Sequence, residues 1–299
     1  MKARFFPVID SLHIIAYFES PPLSLSRLVN HCLSLLSLIL GDRQICIETI
    51  SESISSKIEK QKHTAKLGQV IATLDELEPQ SSSIRVSCPA PSANRYQEFG
   101  IRESIVCLDY YDYQVSHGTR LGPSFCITVN LDWLDNDQQC LLNREVARFA
   151  NLLTETPGFC YGFCEIADVR ETVLGTFYST AFSNLPNFQR RLARVVWEKE
   201  GGLRARKARG VYWGNILSAD MLNDIGGVEW LAEFASIDNP RKELLCHELA
   251  NGAYLVLICS DMGELRDRSL TTWKGTYERA AVLYRRLFSV GLLCGNDSP

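Results

Sequence analysis

Cysteine and histidine side chains are the candidates for nucleophilic or metal chemistry in this chain, which has eleven cysteines and five histidines. Cys160 and Cys164 are four positions apart, so on a strand they would face the same way but lie roughly 13 Å from each other, too far to share one metal ion. His247-Glu248 is not followed by a second histidine four residues on, as a zinc-protease helix requires. The sequence therefore predicts no metal site.

No motif for a cofactor or for a known catalytic nucleophile is present. The glycines fit neither a phosphate-binding loop nor a dinucleotide-binding turn, and the Gly-x-Ser-x-Gly motif is missing. We therefore predict no cofactor, no catalytic residue and no enzymatic activity. Two alternatives stay open: a cytosolic enzyme whose fold brings a cysteine, a histidine and an orienting group together, and a regulatory module that binds a ligand in an apolar pocket.

An aromatic and acidic segment is the stronger candidate for function. Tyrosines and aspartates are interleaved at residues 109–113, and Trp133 and Asp135 follow the next clear strand. Such a mixture is typical of an interface with a basic protein, because aromatic rings bury a large area at low entropic cost. A strand with inward tyrosines and solvated aspartates is the alternative. The candidate contact residues are Tyr110, Tyr111, Asp112, Tyr113, Trp133 and Asp135.

Basic residues are concentrated between positions 190 and 209, where apolar neighbours indicate a helix with one solvated face. The net charge of the whole chain is −4, so no nucleic-acid partner is expected. The basic residues are Arg190, Arg191, Arg194, Lys199, Arg204, Arg206, Lys207 and Arg209.

The cysteines and the apolar runs indicate the cellular compartment of the protein. The cysteines are spread along the chain in apolar runs, which indicates reduced, buried thiols rather than a disulfide scaffold. Pro7, Asp10 and His13 interrupt the N-terminal apolar run, unlike a signal peptide. Residues 23–40 include Arg27 and other polar residues, unlike a membrane span. We predict a cytoplasmic protein with no membrane partner.

Apolar periodicity and capping residues predict the elements that must position these residues. Two units have the order strand, helix, strand, and residues 51–83 between them are interpreted as a polar surface excursion with one helix at 67–77. Helices are expected at 24–40, after Asp135 or Asn136, from 219, at 228–235 and at 276–290. Strands are expected at 12–18, 44–50, 84–87, 103–108, 125–131, 159–166, 211–217, 244–248 and 253–260.

This order predicts an α+β fold in which helices face a mixed or antiparallel sheet. The Asn251-Gly252 pair is a strong hairpin signal and argues against a regular parallel array. The two strand–helix–strand units indicate a pseudo-duplicated arrangement. We predict one compact domain over residues 1–299 with two lobes, about 1–167 and 168–299.

One block of the chain resembles a known family. An aromatic strand is followed by a helix, a double-glycine stop and a second short helix, and the matching residues are Val211, Trp213, Asn215, Leu217, Leu222, Ile225, Gly226, Gly227 and Leu231. This block resembles the bacterial type VI secretion immunity proteins, formerly a family of unknown function. The apolar strand at 254–258 is also similar to one in that family.

The resemblance implies an antitoxin in bacterial competition. Such a protein would bind a cognate secreted effector toxin and neutralise it, without a cofactor. Because no signal peptide is expected, the toxin would act in the cytosol; nucleases and NAD-directed or ADP-ribosylating enzymes are typical of such toxins. The matching block is structural rather than catalytic, so the contact surface is expected elsewhere.

Overall fold

The computed structural model describes residues 10–22, 24–52, 58–77, 83–90, 104–111, 123–168, 206–262 and 273–293. Ten strands form one sheet in the order β3-β2-β4-β5-β6-β1-β7-β8-β10-β9. The strands are β1 (Asp10–Phe18), β2 (Gln44–Glu52), β3 (Ile58–Lys66), β4 (Ser83–Pro89), β5 (Ser104–Tyr111), β6 (Ser124–Asn130), β7 (Phe159–Asp168), β8 (Gly214–Leu217), β9 (Cys246–Glu248) and β10 (Tyr254–Leu257).

Seven helices lie in the described part of the chain. They are α1 (Leu25–Leu35), α2 (Ser37–Leu40), α3 (Val70–Leu77), α4 (Asn136–Glu155), α5 (Ala219–Asp224), α6 (Gly227–Ser236) and α7 (Trp273–Ser289). None of these helices combines the length and the hydropathy that a bilayer crossing requires.

The α+β prediction is confirmed, and the sheet is antiparallel at every pairing of its ten strands. The two strand–helix–strand units are not equivalent in this sheet. β6 and β7 lie on either side of β1, whereas β1 and β2 are separated by three strands. β7 is bonded directly to β8, so residues of both predicted lobes share one sheet; the division into lobes stays a prediction.

Alternation along the central strands gives the sheet one apolar face and an opposite face, here called the polar face, on which polar residues such as His13 lie beside apolar residues such as Ile15. Leu12, Ile14 and Ala16 of β1 lie on the apolar face and are fully buried. Helix α1 contacts α3 and α4, α3 contacts strands β2 and β3, and α4 contacts strands β1 and β7. Their buried stripes are apolar, so they form the layer on the apolar face of the sheet.

The structure corrects two expectations about the first half of the chain. Residues 58–66 are strand β3, which pairs with β2 over its whole length, and not part of a surface excursion. The helical segment from 25 to 40 is interrupted at Leu36, so α1 and α2 are separate helices. In α4, Asp135 caps the helix as expected.

The family-like block is packed more tightly than alternation along a strand predicts. Tyr212 and Trp213 are both buried, because β8 begins only at Gly214 and the two aromatic residues lie in the bend before it. The side chain of Asn215 fixes that bend. Its amide donates to the Tyr212 carbonyl at 2.8 Å, and its oxygen accepts from the Tyr212 backbone N–H at 3.0 Å.

Arg209 corrects the expectation that the basic run is solvated. Its guanidinium is buried, donates to the Tyr17 hydroxyl at 3.0 Å and lies 5.6 Å from the centre of the Phe163 ring. The hydroxyl and the aromatic face give the buried charge favourable contacts. The run from Arg190 to Arg204 lies outside the described residues.

Candidate functional site

Reactive side chains are concentrated in a row across the polar face of the sheet. Register places the members on neighbouring strands β4, β5, β6, β1 and β7, where residues facing one another lie within side-chain reach. We call this set the polar row; it consists of Arg85, Asp109, Cys107, Cys126, Thr128, His13 and Glu165.

The first half of the polar row is an ion pair with a thiol beside it. The Arg85 Nε donates to the Asp109 carboxylate at 2.6 Å, and a second guanidinium nitrogen lies 3.3 Å from the other oxygen. The Cys107 thiol donates to the same carboxylate at 3.4 Å. Because Asp109 is buried and Arg85 is 35% exposed at its side chain, the pair opens towards solvent on the arginine side.

The second half of the polar row joins a thiol to an imidazole through a hydroxyl. The Cys126 sulfur lies 3.6 Å from the Thr128 hydroxyl, which is 3.1 Å from Nδ1 of His13. Glu165 is the register partner of His13 on β7, and both residues are fully buried. A cysteine, a histidine and a carboxylate thus share one face of the sheet.

The protonation state of the thiols argues against a nucleophile in the polar row. Burial, followed by the nearby Asp109 charge, raises the pKa of Cys126 to about 12. The same two causes raise the pKa of Cys107 well above its usual value. Since the thiolate is the reactive form, these cysteines are held in the unreactive form at neutral pH.

The cysteines on β7 behave as buried apolar residues. Cys160 and Cys164 are both buried and free, and burial raises the pKa of each thiol. Within the described part of the chain, no group of three or more His, Cys, Asp or Glu side chains is arranged to hold a metal ion.

A cleft of about 250 Å³ opens at one end of the sheet, where β1 and β8 end and β7 and β10 begin. Its walls come from the turn after α4, the hairpin turn before β10 and the start of α5. We call it the end cleft; its lining residues used below are Glu19, Pro157, Gly158, Phe159, Arg206 and Asp220.

Three of the described side chains that line the end cleft are charged. Arg206 forms ion pairs with both Glu19, at 3.3 Å, and Asp220. All three side chains are more than half exposed, so each ion pair contributes at most about 1 kcal/mol. Arg206 has a φ of +52°, in the left-handed region that non-glycine residues rarely adopt.

Hydrogen bonds to backbone carbonyls hold the walls of the end cleft in place. The backbone N–H of Glu19 donates to the Gly158 carbonyl at 2.8 Å, which joins the end of β1 to the turn after α4. The Asn251 side chain donates to the Thr154 carbonyl at 2.8 Å, which joins the hairpin turn to α4. The cleft is therefore preformed, while its charged side chains are exposed.

The predicted contact residues lie at both ends of the sheet. Tyr110 and Tyr111 end β5, and Tyr111 is the register partner of Ser124, the first residue of β6. Trp133 and Asp135 follow the other end of β6, about 20 Å away. The structure therefore does not bring the two groups together in one patch.

Burial also distinguishes the predicted contact residues. Tyr110 is buried in the core, Trp133 is half-buried and Asp135 is exposed at the start of α4. Asp112 and Tyr113 lie outside the described residues. The assignment of these residues to a toxin contact stays a prediction.

Sequence reasoning missed the end cleft. Glu19 and Arg206 are separated by 187 positions, and Asp220 follows Arg206 after 14 more. Each residue alone is an ordinary polar residue beside a turn or a helix start. Only the pairing of β1 with β7 and of β7 with β8 places their backbones at the same end of the sheet.

The comparison with solved structures finds a likeness in fold. No protein-family model matches the sequence, and the search of curated proteins finds no match. The fold is similar to that of the Pseudomonas aeruginosa T6SS protein PA0821, with a TM-score of 0.54 and 13% sequence identity. The alignment covers 100% of this chain and 80% of that protein. At this identity the likeness concerns the fold, and it extends over the whole chain.

Proposed function

We propose that this chain is an immunity protein, which binds a cognate secreted effector toxin in the cytosol and neutralises it. The observation that carries the proposal is the full-length likeness of the fold to a type VI secretion system protein. The resemblance of the block from Val211 to Leu231 to type VI immunity proteins supports it independently, because that block was identified from sequence alone.

The chemistry of the polar row supports inhibition by binding rather than catalysis. A cysteine hydrolase needs a thiolate at neutral pH, whereas burial raises the pKa of the Cys126 thiol to about 12. The bonded Arg85–Asp109 pair and the Thr128–His13 pair instead give the sheet a polar, hydrogen-bonded interior. Such buried polar groups specify strand register and packing.

Binding to a toxin is directly testable. The chain is co-expressed with the effector encoded beside its gene, and the pair is analysed by affinity capture, size-exclusion chromatography and growth of the host. We expect a stable complex and rescue of growth, with no rescue from an unrelated toxin as the control. A chain that neither binds the adjacent effector nor restores growth would refute the proposal.

A further inference from the structure

We propose that the end cleft binds an arginine or lysine side chain of a protein partner, and that Arg206 occupies the same position in the free protein. This role rests on the proposed function, in which the partner is the effector toxin. The end cleft opens at the end of the sheet where β5 terminates in the predicted contact residue Tyr111.

Charge favours a basic occupant. Among the described residues that line the end cleft, Glu19 and Asp220 are acidic and Arg206 is the basic one. Both carboxylates are more than half exposed, so an incoming cation can reach them without displacing the core. An anionic ligand would have to approach Arg206 between two carboxylates, which repel it.

A basic side chain of the partner can replace the Arg206 side chain between Glu19 and Asp220 at a low cost in free energy. The ion pairs of Arg206 with Glu19 and Asp220 are both solvent-exposed, and exposed pairs contribute at most about 1 kcal/mol each. A partner's guanidinium would restore the same contacts while Arg206 turns into solvent.

The walls of the end cleft suit the stem of a basic side chain. Pro157 and Phe159 provide apolar surface beside the carboxylates, and the aliphatic stems of arginine and lysine pack on such surface while the charged end stays hydrated. The volume of about 250 Å³ lies below the roughly 300–1,000 Å³ of typical small-molecule pockets. It therefore matches a protruding side chain better than a metabolite.

The cleft is tested first without the toxin, with N-acetyl-arginine amide as the probe. The probe is titrated into the ¹⁵N-labelled full-length chain, and N-acetyl-citrulline amide, which has nearly the same shape but no charge, serves as the control. We expect saturable chemical-shift changes at the amides of Gly158, Phe159 and Ala219 with the arginine probe. No saturable change there, or equal changes with citrulline, would overturn the inference.

Two variants with opposite expected effects on arginine binding test the role of the charged side chains in the cleft. In the double variant Glu19→Gln/Asp220→Asn we expect arginine binding to weaken about fivefold or more, because two exposed ion contacts are lost. In Arg206→Gly we expect about fivefold stronger binding, since the competing cation is removed and glycine suits the left-handed backbone. The matched control is Arg241→Gln, an exposed arginine that does not line the cleft. If Arg206→Gly binds the arginine probe no more tightly than the wild-type chain does, the probe does not replace the Arg206 side chain.

The same variants are then measured against the toxin, and the two proposals can fail separately. If the wild-type chain binds the toxin but Glu19→Gln/Asp220→Asn binds it equally well, the cleft is not the contact and the immunity function stands. If the wild-type chain does not bind the toxin while the arginine probe still saturates the cleft, the immunity function fails and the basic-side-chain site stands.

Discussion

The indole Nε1 of Trp213 donates a hydrogen bond to the backbone carbonyl of Cys259 at 2.8 Å, and the backbone N–H of Ile258 donates to the Trp213 carbonyl, also at 2.8 Å. Trp213 thus ties the bend before β8 to the segment that follows β10. Its side chain is fully buried, so the family-like block is anchored through an aromatic ring in the core.

Trp213→Phe is expected to lower the free energy of unfolding by about 2–4 kcal/mol, because the hydrogen bond from the indole to the Cys259 carbonyl is lost and part of the buried volume is emptied. Urea denaturation followed by far-UV circular dichroism measures the loss. Trp230→Phe is the matched control: Trp230 is only half-buried, so its cost should stay below about 1.5 kcal/mol. Equal losses in the two variants would contradict an anchoring role for Trp213.

Gly226, which caps α6, and Gly227, its first residue, should differ in their tolerance of a side chain. Gly226 has a φ of +109°, and a Cβ there would lie 2.7 Å from the Arg286 guanidinium and 3.1 Å from the Trp230 Cβ. Gly227 has a φ of +69°, and its Cβ would meet only the flexible Glu229 carboxylate at 3.3 Å. Displacing Arg286 would also break its 2.6 Å bond to the Ile225 carbonyl.

We therefore expect Gly226→Ala to cost about 2–4 kcal/mol and Gly227→Ala about 1–2 kcal/mol. Thermal denaturation of both variants shows which of them loses more stability. In each variant the fraction that remains folded should still bind the toxin, because the positions act on stability. A smaller loss at Gly226 than at Gly227 would be inconsistent with the contact to Arg286.

Asp135 has a structural role that can be separated from its predicted role in binding. Its carboxylate accepts from the Gln138 N–H at 2.8 Å, and Gln138 accepts in return from the Asp135 N–H at 3.2 Å, which completes a capping box. Asp135→Ala should cost about 1 kcal/mol, whereas Asp135→Asn should be nearly neutral because asparagine caps equally well.

Asp135→Asn therefore removes the charge while the helix cap remains. If Asp135 contacts a basic toxin, the asparagine variant should associate more slowly and with weaker salt dependence, as measured by surface plasmon resonance. Wild-type kinetics in this variant would exclude Asp135 from the contact and leave it only the capping role.

Thiols with a raised pKa should resist alkylation, while the exposed Cys140 should react. Burial raises the pKa of Cys126, Cys160 and Cys246 to about 12 from the ordinary 9.0. At pH 8 a thiol with a pKa of about 12 is ionised in on the order of one molecule in 10⁴. Mass spectrometry after a brief treatment with iodoacetamide should find label at Cys140 and not at these three positions. Rapid labelling of Cys126 in the folded protein would instead support the cysteine-enzyme alternative.

The same pKa shifts predict loss of stability in alkaline solution. The folded-state pKa values lie above those of the unfolded chain, so below pH 9 both states keep the protons and the full contribution of these thiols to stability is present. Between about pH 9 and 12 the thiols of the unfolded chain are ionised while those of the folded protein keep their protons, so stability should fall as the pH rises. Replacing Cys126 by alanine should make stability fall less steeply with pH, as measured by urea denaturation midpoints across the pH range. An unchanged dependence on pH would contradict the raised pKa of Cys126.

Helices and strands that depend on interactions within a few residues were predictable from the sequence. Those that depend on pairing with a neighbouring strand were not. The start of α4 was identified because the capping interaction of Asp135 involves residues three positions away. Strand β3 was missed because Lys60, Lys62 and Lys66 make its sequence look like a solvated excursion. Its strand geometry comes from pairing with β2 at the edge of the sheet, where lysines are common because they discourage further pairing.

The sequence by itself determined the α+β class, the positions of most helices and strands, and the Gly226-Gly227 joint, because periodicity, capping and glycine act over a few residues. Only the tertiary structure decided which charges are buried and which side chains meet. Arg209 is enclosed by Tyr17 and Phe163, whereas Arg206, three positions earlier, lies exposed between Glu19 and Asp220. The reason is that strand order joins segments nearly 190 positions apart, and no local pattern encodes that order.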